Sequence, residues 1–140
     1  MPRSVGDLSS SLEDYLEAIL VLSRRKKVVR VRDIAERLGV AMSSVNGALK
    51  RLAEQGLVSH ERYEFVDLTE KGQTLAQKIL DRHQLLKRFL INVLHVSEDI
   101  AEKDACCIEH HLSQETVDHI LDFYLFIESS PEKFKTWSED

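Results

Sequence analysis

Apolar positions along the chain recur at two spacings, and the change from one to the other marks out its elements. In "SSSLEDYLEAILVLSRRKK" Leu12, Leu16, Ile19 and Leu20 fall on helical turns, behind a capping-box pair, Ser10 and Glu13. This predicts a first helix that ends in the basic run Arg24 to Lys27. "VRVRDIAERLGV" predicts a short second helix stopped at Gly39, where a left-handed C-cap suits glycine. "AMSSVNGALKRLAEQGLV" follows at once as a third helix, closed by Gly56. "VSHERYEFVDLT", rich in Val, Tyr and Phe, then predicts two short strands with a polar tip. Thr69 caps the long helical segment "EKGQTLAQKILDRHQLLKRFLINVL", in which Gly72 is an early weak point. Ser97, followed by Glu98 and Asp99, opens a helix that carries "DACCIEHHLS", and Ser113 opens "QETVDHILDFYLFIES". Ser130-Pro131-Glu132 starts a final short helix, with proline where a first turn accepts it. The reading is mostly α: an N-terminal winged helix-turn-helix over residues 1–72, then a helical domain over residues 73–140.

Composition narrows the class. At 140 residues, 43% apolar and 31% charged, the chain is long enough for a real core and unlike a disordered one. No apolar run reaches the length of a membrane span, and the start lacks the apolar segment of a secretion signal. The expectation is a cytoplasmic protein with reduced thiols and no membrane partner. The net charge of −5 is unevenly spread. Residues 1–90 hold 16 Lys/Arg against 12 Asp/Glu, and residues 91–140 hold 3 against 12. A basic front suits a polyanion and an acidic back suits cations, although solvated charged faces produce the same split.

The third helix carries the first candidate site. Val45, Leu49 and Leu52 fall on one face, and Ser43, Asn46, Gly47 and Lys50 on the opposite one, with Ser44 beside them. Small and hydrogen-bonding side chains let such a helix sit deep in a major groove, where Asn and Lys reach base edges. Arg62 and Tyr63, with His60 nearby, would decorate the wing and touch phosphates or the minor groove, and Arg24 to Lys27 would add phosphate contacts. The expected partner is double-stranded operator DNA.

The second site lies in the cysteine-histidine stretch. On a helical wheel Ala101, Ala105, Ile108 and Leu112 form a buried stripe. Cys106, Glu109 and His110 share one flank of it, with Glu102 a turn earlier. Cys107 and His111 fall on the other flank, so Cys107 is expected to be a packed thiol. A thiolate, a carboxylate and an imidazole together make good divalent-metal ligands, but they need more from other helices. Asp14 and Glu17 offer carboxylates one turn apart on the first helix. His83 sits on the apolar face of the long helix, between Ile79, Leu86 and Leu90, where a hydrogen-bonded core histidine is the ordinary occupant.

Taken in order, "LEDYLEAIL", "VRDIAERLGV", "SSVNGALKRLAEQGLV", "VDLTEKG", "DRHQLLKRFL" and "CIEHHLS" resemble the diphtheria-toxin-repressor family of metal-dependent repressors over nearly the whole chain. The resemblance implies a winged helix on operator DNA and a helical domain that dimerises and holds a regulatory metal. Position by position, it implies metal ligation by Asp14, Glu17, His83, Cys106, Glu109 and His110, with Glu102 a candidate additional ligand. The pattern is mixed. Asp14 is similar to the manganese type, where the iron type has Met; Cys106 is similar to the iron type, where the manganese type has Glu. The extra C-terminal domain of the iron type is not expected here, which is similar to the manganese type. The implied co-repressor is therefore Mn²⁺ or Fe²⁺, with Co²⁺ or Zn²⁺ accepted in vitro. Lys87 stands where these families often have an acidic residue, and "VAMSS" lacks the proline common at the start of the recognition helix.

The expected function is repression of metal-uptake genes by a homodimer whose metal site joins its DNA-binding and dimer halves. Val117, Ile120, Leu121, Tyr124 and Ile127 give a broad apolar face for dimer contacts, unless that face only covers the domain's own core. Rivals are a winged-helix regulator gated by an organic ligand or thiol oxidation, a zinc hydrolase, and an assembly module with a purely structural ion, whose removal would unfold the protein. The second lacks any recognisable further motif. No catalytic residue and no small organic substrate are expected.

Overall fold

The computed structural model describes residues 8–60 and 65–132 and contains six helices and a two-stranded sheet among them. The chain divides between Leu80 and Asp81 into two compact units. The expected boundary lay after Gly72, and the division comes later because Ala76, Ile79 and Leu80 still belong to the first unit's core.

In the first unit, α1 (Ser10–Arg25), α2 (Val31–Leu38) and α3 (Met42–Glu54) precede β1 (Val58–Ser59), β2 (Asp67–Leu68) and the opening turns of α4 (Glu70–Asn92). The cap of α1 lies one residue before the expected one: Ser9 Oγ accepts from the Leu12 N–H at 3.2 Å. Leu8 is buried just ahead of it, and Glu13 is buried in the first turn. The tight turn between α2 and α3 is as predicted, with Gly39 left-handed at φ +66°. Leu16, Ile19, Ile34, Val45, Leu49, Leu52 and Leu57 fill the core beneath the three helices. Val58 pairs antiparallel with Leu68, and Ser59 with Asp67. The strand region is tied further to the helices by a Val66 N–H donated to Val29 O at 2.8 Å. Arg62 and Tyr63, expected on the wing, lie outside the described residues.

The start of α4 corrects a second expectation. Thr69 caps it as predicted: its Oγ1 accepts from the Gly72 N–H at 3.0 Å and donates to Gly56 O at 2.6 Å. Gly72 is no weak point, however. A Cβ there would lie 1.8 Å from the Leu57 carbonyl oxygen, an atom that also accepts from the Thr69 N–H at 3.0 Å. Only glycine allows the two backbones to pass this closely.

Of the basic run at the end of α1, two members have partners in this unit. Lys26 Nζ lies 2.7 Å from Asp33 Oδ1, and Arg24 bonds to Gln77. Asp33 also accepts from the Arg30 N–H at 3.0 Å, which satisfies an amide at the start of α2. The Lys26 hydrogen bond, against some burial and with help from the Arg30 amide, holds the Asp33 carboxyl below its ordinary pKa. A lowered folded-state pKa gives stability that is present above about pH 4 and lost as pH falls through the folded value. Asp33→Asn should therefore destabilise the protein by about 1 kcal/mol at neutral pH. The difference from wild type should shrink in acid melts followed by circular dichroism.

The second unit holds the rest of α4, then α5 (Glu98–Ile108) and α6 (Gln114–Ser129). Leu86, Val93, Ala101, Ala105, Val117 and Tyr124 are its buried apolar residues. Asn92 Nδ2 donates to Tyr124 Oη at 2.8 Å, and Phe89 meets Phe123 edge-on at 6.2 Å. Ser97 occupies the N-cap position of α5 without a side-chain hydrogen bond, whereas Ser113 caps α6 by accepting from the Thr116 N–H at 3.2 Å. Ile108 was expected in the buried stripe but is exposed. The helix ends there, and Glu109 turns inward in its place. On α6, Val117 and Tyr124 are buried within the single chain. Leu121, Phe123, Leu125 and Phe126 are the exposed apolar side chains of that helix. No helix among the described residues is long and apolar enough to cross a membrane.

Candidate metal centre and recognition helix

On α3 the burial follows the predicted wheel. Val45, Ala48, Leu49 and Leu52 are buried, while Ser43, Ser44, Asn46, Gly47 and Lys50 are all exposed. Asn46, Leu49, Lys50, Ala53, Glu54 and His60 line an open groove of about 570 Å³ beside β1. A Cβ at Gly47 would meet nothing within 4 Å, so the fold does not require glycine there. Glycine inside a helix costs about 0.8–1.0 kcal/mol relative to alanine.

The second unit builds its site from the end of α5. The last carbonyls of a helix have no partners within it. Here Arg82, buried on α4, supplies one: its Nη1 donates to Glu109 O at 3.0 Å and to Leu112 O at 3.3 Å. Its Nη2 donates to Gln114 Oε1 at 2.9 Å. A cation at a helix C-terminus also opposes the partial negative charge there. This clamp fixes the backbone at Glu109, whose side chain is 1% exposed.

Glu109 Oε2 lies 2.9 Å from His83 Nδ1. Glu109 Oε1 is buried and accepts no hydrogen bond among the described residues; His110 Nε2 stands 3.3 Å away, outside bonding geometry. On the other side of the imidazole, His83 Nε2 lies 3.0 Å from Glu102 Oε1. Glu102 Oε2 in turn lies 3.1 Å from Lys87 Nζ, which is 3.9 Å from Glu98 Oε1. Partial burial pushes the Glu102 carboxyl up, but the Lys87 hydrogen bond and the neighbouring His83 outweigh it and leave the pKa lowered.

The structure thus brings His83, Glu109 and His110 together in one unit, with Glu102 on the outer side of His83. Asp14 and Glu17 are half-buried one turn apart on α1, in the other unit. Cys106 is exposed one turn before Glu109 and His110. Cys107, expected as a packed thiol, is exposed too, because only the Ala101–Ala105 stripe of α5 is buried. Two contributors were absent from the sequence reading as site residues, Arg82 and Lys87. Arg82 carried a usable signal: it stands at a core position between Ile79 and Leu86, where a charge must find buried partners.

These groups suit a divalent cation. A buried carboxylate oxygen left without a hydrogen bond costs about 1–3 kcal/mol or more, and a cation beside it would remove that cost. Carboxylate, imidazole and thiolate are the ligand types such ions take. Arg82→Met should lower stability by about 3 kcal/mol, since it strands two carbonyls and an amide oxygen. Thermal melts of the metal-free protein would measure this.

Comparison with known proteins agrees with both halves. The model "Iron dependent repressor, N-terminal DNA binding domain" matches residues 7–66, and "Iron dependent repressor, metal binding and dimerisation domain" matches residues 69–138. The HTH-type transcriptional regulator MntR of Lysinibacillus sphaericus is 38% identical over 125 residues, covering 89% of each chain. An uncharacterised HTH-type transcriptional regulator of Methanocaldococcus jannaschii is 37% identical over 129 residues, 91% of this chain and 98% of its own. Among solved structures, the manganese regulator SloR superposes with a TM-score of 0.73 at 32% identity, over 82% of this chain and 54% of that one. A manganese-dependent transcriptional repressor in complex with manganese gives 0.72 at 34% identity, over 78% and 50%. The chain spans about half the length of these solved proteins.

Proposed function

Because the chain belongs to the iron-dependent-repressor family, which is the diphtheria-toxin-repressor family of metal-dependent transcriptional regulators, we propose that it represses metal-uptake genes with Mn²⁺ or Fe²⁺ as co-repressor. The observation that carries this reading is the fully buried Glu109 carboxylate, with two imidazoles about it and one oxygen lacking a hydrogen bond.

The proposed ligands are His83, Glu109, His110 and Cys106, with Asp14 and Glu17 added on the strength of the sequence resemblance. A bound divalent ion supplies the positive charge that this set of acids and neutral donors lacks. The chain's own residues prepare the place for it. Arg82 holds the Glu109 backbone, and the Ala101–Ala105 stripe seats α5. Mixed ligand chemistry supports the choice of ions: the carboxylates suit Mn²⁺, and the Cys106 thiolate extends acceptance to Fe²⁺, Co²⁺ and Zn²⁺.

On the DNA side, Asn46 and Lys50 read base edges, and Ser43, Ser44 and Gly47 keep the surface low enough for close approach. This use accounts for Gly47, which the fold does not demand. Arg62 and Tyr63 are proposed phosphate contacts on the wing. The protein acts as a homodimer through α6, where Leu121, Ile120 and Ile127 join the exposed Phe123, Leu125 and Phe126. Metal and operator favour the same state of the protein, so each tightens the other's binding by an equal factor.

Fluorescence anisotropy on the chain's own upstream DNA tests this reading. Chelated protein should bind weakly, Mn²⁺ should restore tight sequence-specific binding, and Fe²⁺ should do so without oxygen. Tight binding that ignores chelator would sink the co-repressor reading. Loss of such binding on adding peroxide would reassign the signal to the two exposed cysteines.

A further inference from the structure

We propose that Glu102 is not a metal ligand but a positioning residue, held by Lys87, that fixes the His83 ring with Nε2–H donated outward and Nδ1 turned toward Glu109. This rests on the metal site proposed above.

The geometry runs in one chain of contacts. Lys87 Nζ meets Glu102 Oε2 at 3.1 Å, Glu102 Oε1 meets His83 Nε2 at 3.0 Å, and His83 Nδ1 meets Glu109 Oε2 at 2.9 Å. An imidazole that ligates a metal through one nitrogen has its ring and tautomer set by what the other nitrogen bonds. Here the two nitrogens face different surroundings. Nδ1 faces a carboxylate that is 0% exposed, next to His110. Nε2 faces a carboxylate that is 51% exposed and already neutralised by an ammonium.

Both oxygens of Glu102 are therefore engaged by the protein itself, one by the imidazole and one by Lys87. Lys87 holds the second oxygen, and Glu98 lies on the far side of its ammonium at 3.9 Å. The result is a lysine–carboxylate–histidine relay on the outer face of the site, with the ion confined to the inner face. Lys87 and Glu102 lie on different helices, α4 and α5, so the relay also sets the angle of the ring against α5.

The test titrates Mn²⁺ by calorimetry into wild type, Glu102→Gln, Lys87→Met and Lys87→Arg, and records the imidazole ¹H–¹⁵N spectrum of the full chain without metal and with Zn²⁺. Wild type should show a His83 Nε2–H signal protected from solvent exchange in both states. Glu102→Gln and Lys87→Met should raise the Mn²⁺ Kd by about 10–100-fold, the range seen when a ligand loses its orienting partner. Stoichiometry should stay unchanged, and Lys87→Arg should retain affinity. A drop in stoichiometry in Glu102→Gln would make Glu102 a ligand and overturn the proposal. So would unchanged affinity in both variants, or a His83 ring protonated on Nδ1 alone in the Zn²⁺-loaded protein. If wild type takes up no Mn²⁺ or Zn²⁺, the metal reading itself falls, and that failure shows in the wild-type titration before any variant is compared.

Discussion

Glu109→Gln is expected to weaken Mn²⁺ binding by more than about 100-fold, beyond the range for residues that only orient a ligand. Metal-dependent DNA binding should be lost with it. The same change should not lower the melting temperature of the chelated protein. The amide keeps the shape, and its NH2 can donate to the bare His83 Nδ1, while the charge buried beside an unsatisfied oxygen is removed. Calorimetric titration and paired melts with and without metal separate the two effects. A variant that melts lower in chelator while binding Mn²⁺ normally would make Glu109 a purely structural carboxylate.

Gly72→Ala is expected to destabilise the first unit by about 3 kcal/mol, at the upper end of what overpacking a tight contact costs. For a region of this size that is a fall of about 12–24 °C in Tm. The methyl would lie 1.8 Å from the Leu57 carbonyl oxygen, and neither backbone can retreat without breaking the Thr69 cap or the Thr69–Leu57 hydrogen bond. Gly47→Ala is the contrasting control. Its Cβ meets nothing, so the melt should rise slightly or stay put, while operator affinity falls. Equal melting of Gly72→Ala and wild type would show that the α4 start can shift away from Leu57.

How far the chain could be read in advance depended on where the information lay. The order of helices and the hairpin follow from local periodicity, and the turn at Gly39 from a glycine that must adopt positive φ. The split of α3 into buried and exposed faces follows from the same periodicity. Gly72 was misread because its reason is a backbone two elements away, and a propensity scale sees only the helix it sits in. The end of α5 was misread for a related reason. A wheel gives the face of a residue but not what packs against it, so it placed the terminal Ile108 inward. It carried no sign that Arg82 bonds to the Glu109 carbonyl just past the helix. The pairing of His83 with Glu109 crosses from α4 to α5. Spacing put Glu109 among candidate ligands and the family resemblance added His83, but neither could show that the two touch. Lys87 looked only like a departure from a pattern until its partner Glu102 appeared beside it.

The outer surface of α6 has a further consequence. Leu121, Phe123, Leu125 and Phe126 are between 40% and 52% exposed on the single chain, apolar area that a partner would cover. Under the proposed homodimer, the amount of DNA-competent protein rises with the square of the protomer concentration when protomers are scarce. The metal level at which genes switch off then depends on how many copies of the regulator a cell holds. Gene dosage becomes a second input to a device that otherwise reads only an ion.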